Sequence, residues 1–227
     1  MLSTNKVKIS PGNYDNLYVI SDIHAHFELL QGIINEINLR KDDLLIIAGD
    51  SCDRGPDTAE VYEKIIALKE EGYNLIHLLG NHEQMFFNAV VFGIDHDLWM
   101  RNGGQVTLDS YQGRKELQEK HLDLIEEMPL AVETEDHLIV HAGLDPNKSL
   151  SEQESEDLLW SRRQFIRSDL EVDKTVVFGH TITKTSRIYF YGNNTIGIDC
   201  GSYRNNKVGA LELKTKQEFY VKTKERK

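Results

Sequence analysis

Leu44-Leu45-Ile46-Ile47-Ala48-Gly49-Asp50-Ser51-Cys52-Asp53-Arg54-Gly55 is an apolar run that passes without a break into two carboxylates and a guanidinium set between glycines. A short continuous apolar run bounded by turn residues reads as a strand buried on both faces, as in parallel sheets. Leu17 to Ile20 and Leu75 to Leu79 read the same way and also end in polar residues. Asp22 and His24 follow the first; Gly80, Asn81, His82 and Glu83 follow the other. Helical apolar spacing fills the gaps over Phe27 to Ile37 and Val61 to Leu68, with Pro56, Asp57 and Thr58 as start signals for the second helix. Strand, helix, strand, helix, strand implies an α/β fold with a parallel sheet and right-handed crossovers.

The carboxyl ends of parallel strands lie side by side, where open α/β sheets bind their ligands. Twenty-four residues (25–48) separate His24 from Gly49, and twenty-four (56–79) separate Gly55 from Gly80. Each gap suits one strand-helix-strand unit, so the three polar clusters come to one edge. Two later runs, Leu138 to Val140 and Thr175 to Phe178, end in His141-Ala142-Gly143 and Gly179-His180. Five strand ends then converge with carboxylate, imidazole and amide groups and no thiolate except Cys52, a donor set suited to manganese, iron or zinc. A dinuclear centre is the economical account of so many ligands.

Elsewhere the pattern changes twice. From Gln84 to Met128, helical pieces are broken by Gly93 and an Asn102-Gly103-Gly104 turn and closed by Pro129, which reads as a helical cap over one end of the sheet. Its apolar residues Phe86, Phe87, Val90, Phe92 and Trp99 read as packing groups. After Arg187, hairpin signals predominate: Arg187 to Tyr191, a Gly192-Asn193-Asn194 turn, Thr195 to Asp199, Val208 to Leu213 and Glu218 to Val221. A second, mixed or antiparallel sheet is expected there.

The 227 residues suit one α/β domain, and 40% hydrophobic with 28% charged residues is ordinary globular composition. A net charge of -11 argues against nucleic acid or anionic membrane as partner. The few clustered cations, Lys222, Lys224, Arg226 and Lys227, read as a solvated tail. The polar opening from Met1 to Gly12, the lack of any long apolar run, and two cysteines read as free thiols lead to the expectation of a cytoplasmic protein. Cys52, between two carboxylates, reads as a small buried filler, with a redox-sensitive group or a stray metal ligand as the alternatives. Oligomeric state is not legible.

The motif series Asp22-Ile23-His24, Gly49 to Gly55, Gly80-Asn81-His82-Glu83, His141-Ala142-Gly143 and Gly179-His180 resembles that of the phosphoprotein phosphatase family of metallophosphoesterases. The stretch Trp99 to Tyr111, with its Arg101-Asn102-Gly103-Gly104 turn, and Leu159-Trp160-Ser161-Arg162 resemble the small bacterial and bacteriophage serine/threonine phosphatase branch. The resemblance implies a single calcineurin-like domain over 1–227, a sandwich of two mixed β-sheets flanked by helices, with the cap at about 84–128.

Carried onto this chain, the resemblance implies that Asp22, His24 and Asp50 hold one divalent ion, and that Asp50, Asn81, His141 and His180 hold a second. Manganese is the leading choice, with iron or zinc as alternatives. A shared hydroxide would attack phosphorus directly. His82 would protonate the leaving group, kept cationic and in one tautomer by Asp53, while Arg54 and Arg162 clamp the phosphate. Arg163 fits the Trp-x-Arg pattern less well than Arg162. Where the family has glycines, this chain has Ser21, Ala25 and Ala142; a methyl at Ala25 is a small change if its φ is negative.

The substrate so implied is a phosphoserine or phosphothreonine protein or another small phosphoester. A symmetrical diadenosine tetraphosphate hydrolase shares the motif series and is the alternative. The absence of Gly-His-x-His at the last motif speaks against a cyclic-nucleotide or nucleic-acid phosphodiesterase. No motif residue is missing, which speaks against a catalytically dead binding module.

Overall fold

In the computed structural model, which describes residues 2–168, 172–192 and 194–224, eleven strands form two sheets. The strands are β1 (Lys6–Lys8), β2 (Leu17–Ile20), β3 (Leu44–Ile47), β4 (Asn74–His77), β5 (Ala131–Glu133), β6 (His137–Val140), β7 (Thr175–Phe178), β8 (Tyr189–Tyr191), β9 (Thr195–Gly197), β10 (Lys207–Glu212) and β11 (Glu218–Lys222). The first sheet runs β11-β10-β2-β3-β4, with β2, β3 and β4 parallel and β10 antiparallel to β2. The second runs β1-β5-β6-β7-β9-β8, with β6, β7 and β9 parallel. Helices α1 (Phe27–Glu36) and α2 (Thr58–Glu70) make the two expected crossovers.

Side-chain alternation explains why these strands read as unbroken apolar runs. Leu17, Val19, Leu44 and Ile46 point into the space between the sheets, where they meet Val132, Ile139, Val177 and Ile196. Their neighbours Tyr18, Ile20, Leu45 and Ile47 point the other way, onto Leu29, Leu30, Ile33, Val61 and Ile65 of α1 and α2. The second sheet repeats the pattern: Leu138, Val140, Val176 and Phe178 face outward against Phe86, Trp99, Leu158 and Phe165. Both faces of both sheets are covered, so neither face needs a polar residue.

Two expectations are corrected. The hairpins after Arg187 do not build the second sheet by themselves: β8 and β9 extend it, whereas β10 and β11 join the first sheet beside β2. The second sheet is founded instead on β5, β6 and β7, together with β1, which lies in the polar opening segment and has too short an apolar pattern to be seen. The middle of the Gly192 to Asn194 turn and the Arg226 to Lys227 end of the basic tail lie outside the described residues.

The segment from residue 84 to 128 is helical, following α3 (Asn81–Phe87): one π turn (Asn88–Phe92), then α4 (His96–Arg101), α5 (Gly104–Ser110) and α6 (Lys115–Glu126). Phe86, Phe87 and Trp99 are buried as packing groups, with Phe86 stacked between Trp99 and Tyr111 at 5.2 and 5.8 Å. Val90 and Phe92 on the π turn stand largely exposed, Phe92 keeping an edge contact to Phe87 at 5.6 Å.

Candidate metal centre

The loops after β2, β3 and β4 are fastened to one another by main-chain hydrogen bonds. Asp22 N donates to the Gly49 carbonyl at 3.1 Å, His24 N to Asp50 at 2.9 Å and Ala25 N to Ser51 at 2.8 Å. Glu83 closes the bundle from the third loop, its carboxylate accepting from the backbone N–H groups of Asp50, Ser51 and Gly80 at 2.7 to 3.1 Å. Such over-determination holds conformations that a free chain avoids. Asp22, His24, Ala25, Asp50, Asp53, Arg54 and His180 all have φ between 47° and 68°.

Two glycines are fixed by this crowding. Gly49 has φ of 83°, and a Cβ there would sit 2.7 Å from His141 Nδ1; at Gly55 it would sit 2.3 Å from the His24 carbonyl. Ala25, by contrast, has φ of 54°, so the condition attached to its methyl fails. The left-handed backbone costs an alanine about 1 kcal/mol. Burial of the methyl returns about 0.8 kcal/mol, which is why alanine is tolerated here. Ala142 is not left-handed and carries no such cost.

Buried donors converge from both sheets. His24 Nε2, Asp50 and His82 each offer an atom within 4.8 Å of the others, and so do Asp50, His141 and His180; Asp50 is common to both groups. Asn81 joins the second, its Oδ1 lying 2.9 Å from His141 Nε2. Asp22 stands at the edge, outside both groups, with its carboxylate accepting from the His180 backbone N–H at 2.9 Å.

The ring protons can be assigned. His141 Nδ1 lies 2.8 Å from the Ala48 carbonyl and His24 Nδ1 lies 3.0 Å from the Cys52 carbonyl; carbonyls only accept, so each proton sits on Nδ1. Both Nε2 lone pairs therefore face inward, that of His141 toward Asn81 Oδ1 and, at 3.4 Å, Asp50 Oδ1. Lone pairs turned on lone pairs in a buried space fit a pair of divalent cations.

Electrostatics point the same way. Burial pushes Asp50 well above the usual carboxylate range, with Asp22 and Glu83 adding to the effect, and burial raises Asp22. It depresses His24 and His180, so both imidazoles stay in the neutral form that ligates metal.

His82 Nδ1 donates to Asp53 Oδ2 at 2.7 Å. Asp53 is itself held by Trp99 Nε1 at 2.9 Å and by the Thr107 hydroxyl at 2.6 Å. Burial raises Asp53 to about 7 against those two hydrogen bonds. His82 is depressed well below the usual range, by burial first and then by the Arg54 charge. Asp53 thus accepts from His82 Nδ1, while burial and then the Arg54 charge disfavour a second proton on the ring.

Arg54 reaches over the donors, Nη1 at 3.0 Å from His24 Nε2 and Nη2 at 2.9 Å from His82 Nε2. Arg162 is exposed between α7 (Ser155–Trp160) and α8 (Arg163–Arg167), close enough for its charge to act on His82 and His180, and it has no hydrogen bond to either among the described residues. Cys52 is buried, and its thiol is pushed well above normal by burial beside Asp53, which keeps it un-ionised and favours the filler reading.

Sequence reading passed over two features. Trp99 and Thr107 hold Asp53 from 46 and 54 residues away, with no local signal. Tyr203 stacks under Arg54, with the guanidinium carbon 4.1 Å from the ring centre, and sets its edge against His24 at 5.3 Å.

Comparison with known proteins follows this geometry. The chain is 28% identical over 230 residues to serine/threonine-protein phosphatase 2 of Escherichia coli, covering 94% of this chain and 100% of the relative. It is 40% identical over 67 residues to a symmetrical bis(5'-nucleosyl)-tetraphosphatase of Wigglesworthia glossinidia brevipalpis, covering 29% of this chain and 24% of that protein. A solved serine/threonine phosphatase of Saccharomyces cerevisiae shares the fold with a TM-score of 0.69 at 17% identity, over 97% of this chain and 84% of its own. The family model for calcineurin-like phosphoesterases matches residues 16–209, a span holding all five strand ends that supply the cluster, and the chain belongs to that family.

Proposed function

We propose that this phosphoesterase is a serine/threonine phosphoprotein phosphatase. The observation that carries the reading is the placement of Arg54 directly over a two-group donor cluster that shares Asp50. The full-length similarity to a relative named as such a phosphatase supports it. In this reading Asp22, His24 and Asp50 hold one divalent ion, while Asp50, Asn81, His141 and His180 hold the other. Such ions supply positive charge that activates water near neutral pH and offsets charge on the phosphoryl oxygens.

The chain's own groups do the rest. Arg54 turns its planar fork to the non-bridging phosphate oxygens. The incoming dianion offsets the Arg54 charge, which after burial disfavours a second proton on His82, and His82 Nε2 passes a proton taken from water to the leaving alkoxide. Asp53 accepts from Nδ1 throughout and is a positioning residue. Arg162 adds a second clamp from the α8 side. Catalysis takes place in a single cytoplasmic domain in which residues 84–128 brace Asp53.

A second reading, hydrolysis of diadenosine tetraphosphate, is favoured by the local similarity to the tetraphosphatase. Metal-stripped protein reloaded with manganese should release phosphate from phosphothreonine peptides faster than it cleaves the dinucleotide at matched concentration. The reverse preference, followed by chromatography of nucleotide products, overturns the first reading and keeps the second.

A further inference from the structure

A cleft of about 420 Å³ opens beside the cluster, with Arg54 as part of its wall. Arg54 also touches His24 and His82, so this one side chain is shared between the cleft wall and the catalytic groups. Its lining includes Tyr203, Arg204 and Lys224, and a neighbouring hollow of about 690 Å³ shares Arg204 and Lys224 and adds Lys222. Among the described residues, Glu28 is the one carboxylate lining either hollow.

Four cations against one carboxylate is an inversion in a chain of net charge -11. Both guanidinium groups lie close to the Tyr203 ring, their carbons 4.1 Å (Arg54) and 5.3 Å (Arg204) from its centre. One aromatic ring thus contacts both the phosphate clamp and a second cation. Two hairpin ends of the same sheet produce this. The α9 turn (Ser202–Asn205) before β10 carries Tyr203 and Arg204, and the end of β11 carries Lys222 and Lys224. The sequence shows the lysines only as a basic tail; the β10–β11 pairing, with Lys207 opposite Lys222, brings them back to the site.

We propose that this trough is a specificity site that binds carboxylates flanking the phosphorylated residue, so that the enzyme selects phosphopeptides with acidic neighbours. The proposal rests on the phosphoprotein reading above. Arg54 takes the phosphate, and an extended peptide crossing Tyr203 sets acidic side chains against Arg204, Lys222 and Lys224. Those cations lie exposed, so the attraction is screened by salt.

The test compares kcat/KM for three phosphothreonine peptides of equal length, flanked by glutamates, alanines or lysines, on manganese-loaded enzyme, with p-nitrophenyl phosphate as the small reference substrate. At low salt the acidic peptide should exceed the neutral one on the order of tenfold, a size expected of two or three exposed ion pairs, and the preference should shrink at high salt. In the double variant Arg204→Glu, Lys224→Glu the ranking should invert in favour of the lysine peptide. Each ratio is measured within one preparation, so it is independent of how much of a variant folds. Equal kcat/KM for all three peptides, or a preference unmoved by charge reversal, overturns the proposal and leaves the phosphoprotein reading standing. Turnover of p-nitrophenyl phosphate with none of the peptides cleaved overturns both.

Discussion

At the scale of single residues, Asp53 and His82 illustrate how burial sets chemistry. Burial raises the carboxylate and depresses the imidazole, and the two meet in a hydrogen bond of 2.7 Å. Asp53→Asn keeps the size but has one accepting oxygen where Asp53 uses one for His82 Nδ1 and the other for Thr107, and kcat on a phosphothreonine peptide should fall by about 10² or more with little change in KM. The loss should be smaller with p-nitrophenyl phosphate, whose phenolate leaves without a proton; equal losses on both substrates would remove the proton-delivery role. Asp50→Asn should lower the bound metal, measured by elemental analysis, since both donor groups share this carboxylate.

At the scale of elements, α4 and α5 act as a brace. Trp99 packs on Phe86 and donates to Asp53, so one residue serves both the core and the site. Trp99→Phe keeps most of the packing and deletes the donor, leaving Asp53 short of a partner. Unfolding in urea should show a loss of about 1–3 kcal/mol, and kcat should drop with it. Full activity in this variant would show that Thr107 alone positions Asp53.

At the scale of the whole molecule, the cluster is a seam between the sheets. Asp22, His24, Asp50 and Asn81 come from the end of the first sheet, and His141 and His180 from the second. Metal binding should therefore stabilise the fold, by about 2.7 kcal/mol at a hundredfold excess over Kd, read as a rise in Tm that chelation reverses.

Acid should act in the opposite direction. Buried His77 is depressed to about 3 by desolvation. The unfolded chain takes up this proton near pH 6.5 and the folded one only near 3, so the unfolded state binds more protons in that window and stability falls as pH falls. His77→Phe should flatten the dependence by up to about 1.4 kcal/mol per pH unit between those values. An unchanged slope would assign the acid lability to other groups.

The sequence by itself determined the β2-α1-β3-α2-β4 unit, because strands covered on both faces must be apolar throughout and their crossovers must carry a helical stripe. It also determined the five polar strand ends, because a parallel sheet brings successive carboxyl ends to one edge whatever the crossovers contain. Only the tertiary structure decided that β10 and β11 close the first sheet, since a hairpin's local pattern does not name its partner strand. It likewise decided that Trp99 and Thr107 hold Asp53, that Ala25 sits in left-handed backbone, and that Tyr203, Arg204 and Lys224 line a cleft beside Arg54. Each of these is a contact or strain between segments distant in sequence, and such proximity leaves no periodicity in the chain.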